Sequence, residues 1–459
     1  MLEGRRRAVA RPAAPLPDLL VPMSAVFNDA LSLPTFDPPS AGTPTVAVIG
    51  MGYVGLPTSL ALHEAGFPVI GIDISERRLD AIRSGAVDLL DRDRPRLTDA
   101  LASGQLALTA ELRALSAADA VIIAVPTPVD EDFAPDLRAV HSACGAAVLH
   151  ARAGQTLILT STTYVGTTKE LLVEPLVERG FTIGEDIHVA FAPERINPGD
   201  ALWEQAAVPR VLGGVTRKCA EAAARVIAAT ASKLHIVSST EAAEFTKLQE
   251  NTFRAVNLAF ANEMAAAAGF YGVDPVEIVE AASTKPYGYL AHYPGPGVGG
   301  HCIPVDPYYL LAPLREGGLP SPVTESAMAA VAGRPAAVAD RALALTSARG
   351  VADTDARVLL VGVAYKPGVE DHRESPALQI AARLAERGAQ VSYHDPLIAS
   401  VDVAGAGPLQ SVTAPEADDY DLVLIAVVHP GHPYGFLADA EHVLDATYRT
   451  PGGQTRHAL

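Results

Sequence analysis

The sequence predicts an α/β protein in which two Rossmann-like, doubly wound domains are joined by a long central helix. Three observations predict this class. From Thr45 onward, short β-branched runs alternate with alanine-rich stretches, as in a parallel sheet whose two faces are covered by helices. From Thr240 the strand pattern stops, and residues 240–269 contain no proline, which predicts one helix. From residue 351 the alternation returns.

Composition sets the boundaries of these parts. Residues 1–43 are rich in proline and broken by charge, so we expect a disordered extension without the apolar core of a signal peptide. The predicted domains are an α/β domain over 44–239, a helical domain over 240–340 and a second α/β domain over 341–459. Buried parallel strands are predicted in the first at TVAVIG, PVIGID, DAVIIAVPT, QTLILTS, IHVAFAP and LHIVSS, and strands in the last at RVLLVGVAY, AQVSYHD, DLVLIAVV and HVLDA.

Charge and cysteine content exclude several classes of partner. The net charge of −18 over 459 residues argues against nucleic acid or an anionic membrane surface, but an anionic small molecule can bind where cations cluster. The cysteines, Cys144, Cys219 and Cys302, form neither a disulfide framework nor a metal-binding C-x-x-C spacing. No apolar run reaches the length of a membrane span. We therefore expect a cytoplasmic protein without a metal site.

A glycine-rich turn follows the first predicted strand. VAVIGMGYVG places Gly50, Gly52 and Gly55 in G-x-G-x-x-G spacing between a strand and a helix, and the next strand ends at Asp73. In this context the glycines admit a pyrophosphate to the helix N-terminus, and the acid bonds the adenosine ribose. Because an acid there would repel a 2′-phosphate, the pattern predicts NAD rather than NADP, a preference that the nearby Arg78 weakens. A tight turn without a ligand is the alternative.

The long predicted helix carries a polar stripe. Lys247, Asn251 and Arg254 lie at i, i+4 and i+7 and therefore share one face. A neighbouring face holds residues suited to packing, namely Leu248, Ala255 and Ala259. The stripe is either a solvated surface or a set of groups that face a ligand. Asparagine is a poor choice for a solvated surface, because Glu, Lys or Gln form helix better.

A second candidate anion site opens the last domain. In LLVGVAYKPGVEDHRESPALQIA, Ser375 is predicted to cap a helix whose first residue is Pro376. Arg373 lies just ahead of that helix and Lys366 lies on the loop that leaves the strand, and such a pair of cations suits a diphosphate. The glycine fingerprint is missing, so an intact second dinucleotide site is not predicted. A surface loop with unrelated charges is the alternative.

The stretch GPGVGGHCIPVDP places Cys302 behind a glycine cluster and shortly before Asp306. Glycine lets another molecule approach the backbone closely, and a cysteine that only packs needs no such clearance. The stretch is therefore a candidate reactive site.

Ordered motifs over roughly residues 44–450 resemble those of the UDP-glucose/GDP-mannose dehydrogenase family. They are GMGYVGLP, VPTP at 125–128, ST at 161–162, APERINPG at 192–199, the E-x-x-K-x-x-x-N helix at 244–251, GVGGHCIPVDP at 297–307 and AYKPGVEDHRESPA at 364–377. The resemblance implies a homodimer or a higher homo-oligomer, with the middle helix forming the dimer, and a last domain that binds UDP. It also implies oxidation of a UDP-sugar C6 alcohol to a carboxylate with reduction of two NAD, for surface polysaccharide precursors.

The resemblance assigns catalytic roles. Cys302 matches the nucleophile that captures the aldehyde as a thiohemiacetal, because a second hydride can leave only from a tetrahedral carbon. Lys247 is expected to act as acid/base and Asn251 as an oxyanion donor. Lys247 is also expected to keep the thiol reactive, because an anion such as Asp306 raises the pKa of a cysteine. The candidates for activating the water that opens the thioester are Asp306, Thr162 and Glu194.

The remaining implied contacts form two sets. The cofactor set is Gly50, Gly52, Tyr53, Val54, Gly55, Asp73, Arg78, Thr127, Thr162 and Arg373. The substrate set is Glu194, Arg195, Ile196, Lys247, Asn251, Arg254, Lys285, Gly299, Tyr365 and Lys366. The glycines beside the cysteine are expected to leave room for the sugar.

Departures from the family pattern bear on the sugar. UDP-glucose members read G-F-G-G-S-C and P-E-F-L where this chain reads GVGGHC and PERINPG, which looks like the branch that acts on UDP-N-acetylhexosamines. TKPYGY and PYYL favour UDP-N-acetylglucosamine, with UDP-N-acetylmannosamine, UDP-N-acetylgalactosamine and UDP-glucose as rivals. Arg195 suits an acetamido carbonyl or the ring hydroxyls. UDP-glucose members also use an upstream arginine that crosses the subunit interface, and Lys285 is the nearest replacement here.

Two other classes of function are open. A two-electron β-hydroxyacid-type dehydrogenase would use the helix lysine and asparagine, but it needs neither a nucleophilic cysteine nor a second nucleotide-binding domain. A non-catalytic NAD-dependent sensor would not need Cys302, Lys247, Asn251 and Asp306 together.

Overall fold

The computed structural model describes residues 42–449 apart from 88, 90–91, 131–132 and 196–206, together with the backbone of 456–458. The predicted extension over 1–43 lies outside the described residues except for its last two positions, and Ile196 lies outside them as well. The described residues all belong to one unit, Pro38–Leu459.

The first α/β domain is a sheet with helices on both faces. Within the described residues its strands are β1 (Val46–Ile49), β2 (Val69–Ile72), β3 (Leu106–Thr109), β4 (Ala120–Ile123), β5 (Thr156–Leu159), β6 (His188–Phe191), β7 (Arg210–Gly214) and β8 (Leu234–Val237), in the order β3-β2-β1-β4-β5-β6-β7-β8. The helices are α1 (Gly55–Glu64), α2 (Glu76–Arg83), α3 (Asp93–Ser103), α4 (Arg138–Leu149), α5 (Glu174–Glu178) and α6 (Arg217–Ile227). Strand order reverses beside β1, which makes the carboxyl edge there the expected ligand site.

Alternate residues of β1 enter two different cores. Val46 and Val48 pack into one cluster of buried side chains, and Ala47 and Ile49 pack into the cluster on the opposite face. Burial on both faces explains why the strand reads as a continuous apolar run. It pairs in parallel with β2 through Val46↔Val69 and with β4 through Val46↔Ala120.

Two strands of this sheet were not predicted, and the orientation predicted for LHIVSS was wrong. β7 contains a buried arginine and two glycines, and β3 is a partly exposed edge strand, so neither has the β-branched composition of a typical strand. β6 pairs antiparallel with β7, and β8 pairs in parallel with β7, so the LHIVSS strand runs against the other predicted strands. It is also only partly buried, because it lies at the other edge of the sheet.

The middle of the chain is helical, as predicted. It contains α7 (Thr240–Tyr271), α8 (Pro275–Ser283), α9 (Asp306–Glu316) and α10 (Pro322–Ser347). The predicted packing face of α7 is buried: Leu248 packs against Tyr309, and Ala255 packs against Tyr308. In the part of the chain that the structure describes, no helix combines the length and the apolarity that a membrane crossing requires. The predicted boundary at 340/341 falls inside α10, and the domain boundaries stay predictions.

The last α/β domain has a smaller sheet. Its elements among the described residues are β9 (Arg357–Val361), α11 (Pro376–Glu386), β10 (Gln390–His394), β11 (Ser400–Val403), β12 (Gly407–Gln410), β13 (Leu422–Ile425), β14 (Val443–Asp445) and β15 (Arg456–Ala458). The main sheet has the order β10-β9-β13-β14-β15 and is parallel, whereas β11 and β12 form an antiparallel pair. The predicted class, two doubly wound domains joined by a long helix, is confirmed.

Candidate active site

The three glycines of the turn after β1 differ in how much room the surrounding protein leaves for a side chain. Gly50 has a φ of +91°, and a Cβ there would lie 2.4 Å from the carbonyl oxygen of Ala124. A Cβ on Gly55 would lie 1.7 Å from the Gly50 carbonyl oxygen, so this glycine lets α1 pack closely on the strand. A Cβ on Gly52 would meet no protein atom within 4 Å. The turn therefore leaves open space at the position where a pyrophosphate approaches the backbone, and the geometry fits NAD.

Asp73 and Arg78 hold this turn from two sides. The backbone N–H of Met51 donates to Oδ2 of Asp73 at 2.8 Å, and that of Ser75 donates to Oδ1 at 2.9 Å. Arg78 donates through Nε to the Met51 carbonyl oxygen at 2.8 Å. Asp73 is half-buried, so it remains reachable by a ribose. The loop contact of Arg78 was not foreseen, because the sequence suggested only an effect on cofactor choice.

The VPTP and ST motifs meet where β4 and β5 end. Ser161 accepts from the Val125 N–H at 2.9 Å and donates to the Val125 carbonyl oxygen at 2.8 Å. These two hydrogen bonds join the segments that follow β4 and β5. Thr127 lies in the segment after β4 and Thr162 in the segment after β5, and both are half-buried. They therefore line the same carboxyl edge of the sheet as the glycine-rich turn.

The polar stripe of α7 is divided by burial. Lys247 is buried and donates through Nζ to the carbonyl oxygen of Glu194 at 2.8 Å. Asn251 is half-buried and donates to Oδ2 of Asp306, the first residue of α9. Arg254 is exposed. The structure thus brings residues that are distant in sequence together at one point on the helix.

Glu194 is paired, which sequence reasoning missed. Its Oε2 lies 3.1 Å from Nη1 of Arg210 on β7, and both side chains are buried. Its Oε1 accepts from the Arg195 N–H at 2.8 Å. Arg210 and the Arg195 N–H thus occupy both oxygens of the Glu194 carboxylate. Arg210 was missed because it lies in β7, a strand that was not predicted, and only the fold brings it to Glu194.

Arg195 is also engaged within the protein. It forms an ion pair with Glu250 on α7, and its Nη1 donates to the Pro209 carbonyl oxygen at 2.7 Å. Contact with an acetamido group would therefore require this pair to share or release the guanidinium. Lys285 lies beyond α8 with its Nζ 5.1 Å from the ring centroid of Tyr287. Nothing in the sequence points to Glu250 except its place one turn from Lys247 on the helix.

Glu244, the first residue of the E-x-x-K-x-x-x-N motif, holds the loop after Thr162. Its buried carboxylate accepts from the backbone N–H of Gly166 at 2.6 Å and from the N–H and Oγ1 of Thr168 at 2.9 and 2.6 Å. Burial raises the pKa of Glu244 despite these hydrogen bonds. The motif therefore contains one loop-holding carboxylate and two groups that face the cleft.

Cys302 and Asp306 lie on one turn, where the Asp306 N–H donates to the Cys302 carbonyl oxygen at 2.8 Å. Cys302 is exposed within the cleft, yet the surrounding protein desolvates its thiol. This burial raises the pKa of the Cys302 thiol, Asp306 raises it further, and Lys247 and Arg254 lower it. Burial also raises the pKa of Asp306 to about 6, against the lowering effect of Lys247 and Asn251.

The last domain closes the cleft over the glycine cluster. A Cβ on Gly299 would lie 2.6 Å from the Glu374 carbonyl oxygen and 2.9 Å from Cβ of Tyr365. A Cβ on Gly300 would lie 3.0 Å from the Tyr365 ring. The expectation that these glycines leave room for a sugar was therefore wrong for Gly299, because the last domain takes that space.

The predicted cations of the last domain lie near the same cleft. Ser375 caps α11 as expected, since its Oγ accepts from the Ala377 N–H at 3.2 Å. Arg373 pairs with Asp371 at 2.7 Å, and its guanidinium lies 4.2 Å from the ring centroid of Tyr53. Lys366 lies with Nζ 5.8 Å from the Tyr365 ring centroid. Because Tyr53 and Val54 belong to the glycine-rich turn, Arg373 joins the two α/β domains at the cofactor edge.

Fold and site together define a dinucleotide-dependent oxidoreductase with a thiol, an amine and a carboxyl group in one cleft. Comparison with known proteins identifies the family to which it belongs. Three consecutive segments match the UDP-glucose/GDP-mannose dehydrogenase family: its NAD binding domain over 44–231, its central domain over 241–330 and its UDP binding domain over 359–447. The chain belongs to this family. It is accordingly an NAD-dependent dehydrogenase that acts on nucleotide sugars.

Individual relatives match over most of their length. The chain is 33% identical to the UDP-N-acetyl-D-mannosamine dehydrogenase of Pyrococcus horikoshii over 393 residues, which cover 84% of this chain and 89% of that protein. It is 33% identical to the UDP-N-acetyl-D-glucosamine 6-dehydrogenase of Pseudomonas aeruginosa over 408 residues, which cover 87% and 95%. The solved structure of the UDP-D-ManNAc dehydrogenase from P. horikoshii superposes with a TM-score of 0.81 at 30% identity and covers 90% of this chain and 98% of that one.

Proposed function

We propose that the protein oxidises the C6 alcohol of a UDP-N-acetylhexosamine, UDP-N-acetylglucosamine first, to the uronate through a covalent intermediate on Cys302. The observation that carries this proposal is the convergence of Lys247, Asn251 and Asp306 beside an accessible thiol. Bound at the glycine-rich turn, NAD supplies the hydride acceptor for each of the two oxidations. The product would serve surface polysaccharide synthesis in the cytoplasm.

The first half of the reaction needs a proton acceptor and an oxyanion donor. Lys247 takes the proton of the C6 hydroxyl as the hydride leaves C6, which gives the aldehyde. The Cys302 thiol then loses its proton to solvent as its sulfur adds to the aldehyde carbon, and the carbonyl oxygen becomes an alkoxide that Asn251 and Lys247 stabilise by donating to it. Loss of the second hydride from this tetrahedral carbon leaves a thioester on Cys302.

Hydrolysis needs a base for water, and we propose Asp306. With a pKa raised to about 6, its carboxyl group is ionised at neutral pH and still accepts a proton. Glu194 is a weaker candidate, because Arg210 already pairs with its carboxylate. Thr162 carries no basic group and would orient the water. Attack of water on the thioester carbon breaks the C–S bond and returns the thiol with the free uronate.

The sugar is the finer part of the proposal. GVGGHC and PERINPG support a UDP-N-acetylhexosamine, and the relative from P. aeruginosa bears the name of a UDP-N-acetyl-D-glucosamine enzyme. UDP-N-acetylmannosamine is the second candidate, because the relative from P. horikoshii, equally identical at 33%, is named for that sugar.

A substrate panel tests the proposal. The purified protein is given NAD with UDP-N-acetylglucosamine, UDP-N-acetylmannosamine, UDP-N-acetylgalactosamine, UDP-glucose and GDP-mannose in turn, and NADH is counted per sugar consumed. We expect the highest kcat/KM for UDP-N-acetylglucosamine, with two NADH per sugar. A preference for UDP-N-acetylmannosamine would replace the sugar and keep the mechanism. A preference for UDP-glucose would overturn the branch.

Substitution of the cysteine tests the covalent step. We expect Cys302→Ala to fold and to bind NAD and UDP-sugar, but to lose acid formation by about a thousandfold or more. Cys302→Ser keeps nearly the same volume with a weaker nucleophile, so any ester should break down slowly and be visible by mass spectrometry. Full acid production by Cys302→Ala would contradict the mechanism.

We also propose a homodimer through α7. Phe253, Phe260 and Met264 are 51%, 54% and 40% exposed, and their spacing places them on one face of the helix, away from the Lys247 face. A second copy of the chain would cover this apolar stripe. Sedimentation should give a dimer for the native protein and a monomer for Phe253→Asp with Phe260→Asp. A native monomer would contradict the proposal.

A further inference from the structure

Asp395 and His429 form a buried pair at the carboxyl edge of the second sheet. Nε2 of His429 lies 3.2 Å from Oδ2 of Asp395, and both side chains are fully buried. Asp395 follows β10 and His429 follows β13, and these strands flank β9 on its two sides. The pair therefore spans the end of β9, where the loop with Tyr365 and Lys366 begins.

The pair holds that loop at both ends. Oδ2 of Asp395 accepts from the backbone N–H of Val363 at 2.8 Å and of Ala364 at 3.3 Å. At the far end of the loop, the Gly368 N–H and Nδ1 of His429 are 3.1 Å apart. The residues in between have their position fixed by two side chains that lie outside the loop.

The hydrogen bonds define the state of the imidazole. A backbone N–H only donates, so Nδ1 of His429 must present its lone pair to Gly368. The ring proton is then on Nε2, where it is donated to Asp395. Burial by itself raises the pKa of Asp395, but hydrogen bonds from His429, Val363 and Leu397 outweigh it and lower that pKa. The network thus has a carboxylate, a neutral imidazole and five backbone N–H donors, which belong to Val363, Ala364, Gly368, Leu397 and Ile398.

The loop faces the cleft that contains Cys302. A Cβ on Gly300 would lie 3.0 Å from the Tyr365 ring, which places this ring against the segment that leads to the cysteine. Lys366 is the next residue and lies beside the same ring. A shift of the loop would therefore move both a wall of the cleft and a cation toward or away from an anionic ligand.

We propose that Asp395 and His429 are a positioning pair that sets the affinity for the UDP part of the substrate by fixing the 363–368 loop. Neither side chain touches the substrate, since both are fully buried. The inference rests on the proposed function and on the expectation from the sequence that Tyr365 and Lys366 contact the UDP-sugar. It makes UDP affinity depend on one imidazole whose two nitrogens have different tasks.

Two substitutions separate those tasks. In His429→Asn, the side-chain amide oxygen can lie about where Nδ1 lies and still accept from the Gly368 N–H. In His429→Gln, the longer side chain can place its amide nitrogen about where Nε2 lies and still donate to Asp395. His432→Gln is the matched control, because His432 is exposed and its ring centroid lies 6.4 Å from that of His429. The measurements are the Kd of UDP alone and of NAD by calorimetry, KM and kcat with UDP-sugar, and the Tm.

We expect His429→Gln to raise the Kd of UDP and the KM of UDP-sugar by about tenfold, because it leaves the Gly368 N–H without its buried acceptor. The Kd of NAD and kcat should change little. His429→Asn should raise the Kd of UDP less than His429→Gln does, and His432→Gln should not raise it. An unchanged UDP Kd in folded His429→Gln, or an equal rise in the Kd of NAD, would overturn the inference.

A measurement without any variant covers the case in which His429→Gln does not fold. Hydrogen exchange of the unliganded protein should show the Val363 and Gly368 amides as protected, and rapid exchange at both would overturn the inference. If the native protein binds no UDP at all, the proposed function fails. If it binds UDP and His429→Gln binds it equally well, only the role of the pair fails.

Discussion

The two α/β domains form the same corner at the end of their first strand. Gly50 after β1 and Gly362 after β9 have φ values of +91° and +81°. A Cβ on Gly50 would lie 2.4 Å from the Ala124 carbonyl oxygen, and one on Gly362 would lie 2.1 Å from the Val427 carbonyl oxygen. Ala124 follows β4, which pairs with β1 on the side opposite β2, and Val427 follows β13, which pairs with β9 on the side opposite β10. The two corners therefore correspond element by element.

An aspartate follows the second strand of each domain and accepts from the residue after that glycine. The Met51 N–H donates to Asp73 and the Val363 N–H donates to Asp395, both at 2.8 Å. The difference lies in what covers the acid. Asp73 is half-buried and open to a ribose, whereas Asp395 is closed off by His429. One backbone frame thus serves two ligands, and the group packed on the aspartate decides whether that aspartate recognises a ligand or fixes a loop.

Substitution of the two corner glycines by alanine should have the largest effect among the tests of this correspondence. Gly50→Ala and Gly362→Ala each place a Cβ at a positive φ and against a backbone oxygen, so we expect each to lower the free energy of unfolding by about 3 kcal/mol or more. Chemical denaturation measures this. If the corners are equivalent, the two losses should be similar, and a small loss at either one would break the comparison.

The buried acid between the two domains sharpens the contrast with Asp395. The folded pKa of Asp306 is raised to about 6, so its ionised form costs stability above pH 6, and protonation recovers that stability as the pH falls toward its unfolded pKa of about 4. Relative to Asp306→Asn, the native protein should gain about 2 kcal/mol between pH 7.5 and 4.5. Urea denaturation of both proteins at the two pH values measures the difference.

Asp395 should show the opposite sign. Because its folded pKa is lowered, its contribution to stability is present above its unfolded pKa of about 4 and is lost as the pH falls through the folded pKa. The Asp306 prediction has a separate contradicting outcome. If the stability of the native protein relative to Asp306→Asn does not change with pH, Asp306 is not the buried acid described here.

Gly52 tests the open position of the first corner. Its φ is not in the left-handed region and a Cβ would meet no protein atom within 4 Å, so Gly52→Ala should fold with nearly the native Tm. The added methyl group would occupy the approach of the pyrophosphate, and we expect the Kd of NAD to rise about tenfold or more. Gly50→Ala is the matched control, since it should lower stability first. Native NAD affinity in Gly52→Ala would mean that the pyrophosphate lies elsewhere.

Sequence reasoning found the first corner and missed the second for a physical reason. Gly50, Gly52 and Gly55 are neighbours in the chain, so their spacing is visible. The second corner has one glycine, and its fixing residues, Asp395 and His429, come from two other strands. Pairs of this kind leave no local pattern, because only the sheet order brings them together.

The cleft likewise combines residues with a local sequence pattern and residues that only the fold brings together. The α7 stripe was visible from helical spacing, and the structure places Lys247 and Asn251 at the cleft. The Arg210 that pairs with Glu194 was not visible, since its strand holds a charge and two glycines. Closure of the last domain over Gly299 could not be read either, because it depends on how the domains pack.

The smallest expected effect concerns cofactor choice at the open acid. Asp73→Ser removes the negative charge that repels a 2′-phosphate and also removes the acceptor for the Met51 N–H, whereas Asp73→Asn removes the charge and keeps an acceptor oxygen. Both should lower the preference for NAD over NADP by roughly tenfold, measured as the ratio of kcat/KM values, because Arg78 remains nearby with its positive charge. Asp73→Ser should in addition lower the Tm by a few degrees through the lost loop contact. If selectivity falls only in Asp73→Ser, the loop contact rather than the charge sets cofactor choice. If it falls in neither, Asp73 fixes its loop just as Asp395 does, and the distinction drawn between the two corners fails.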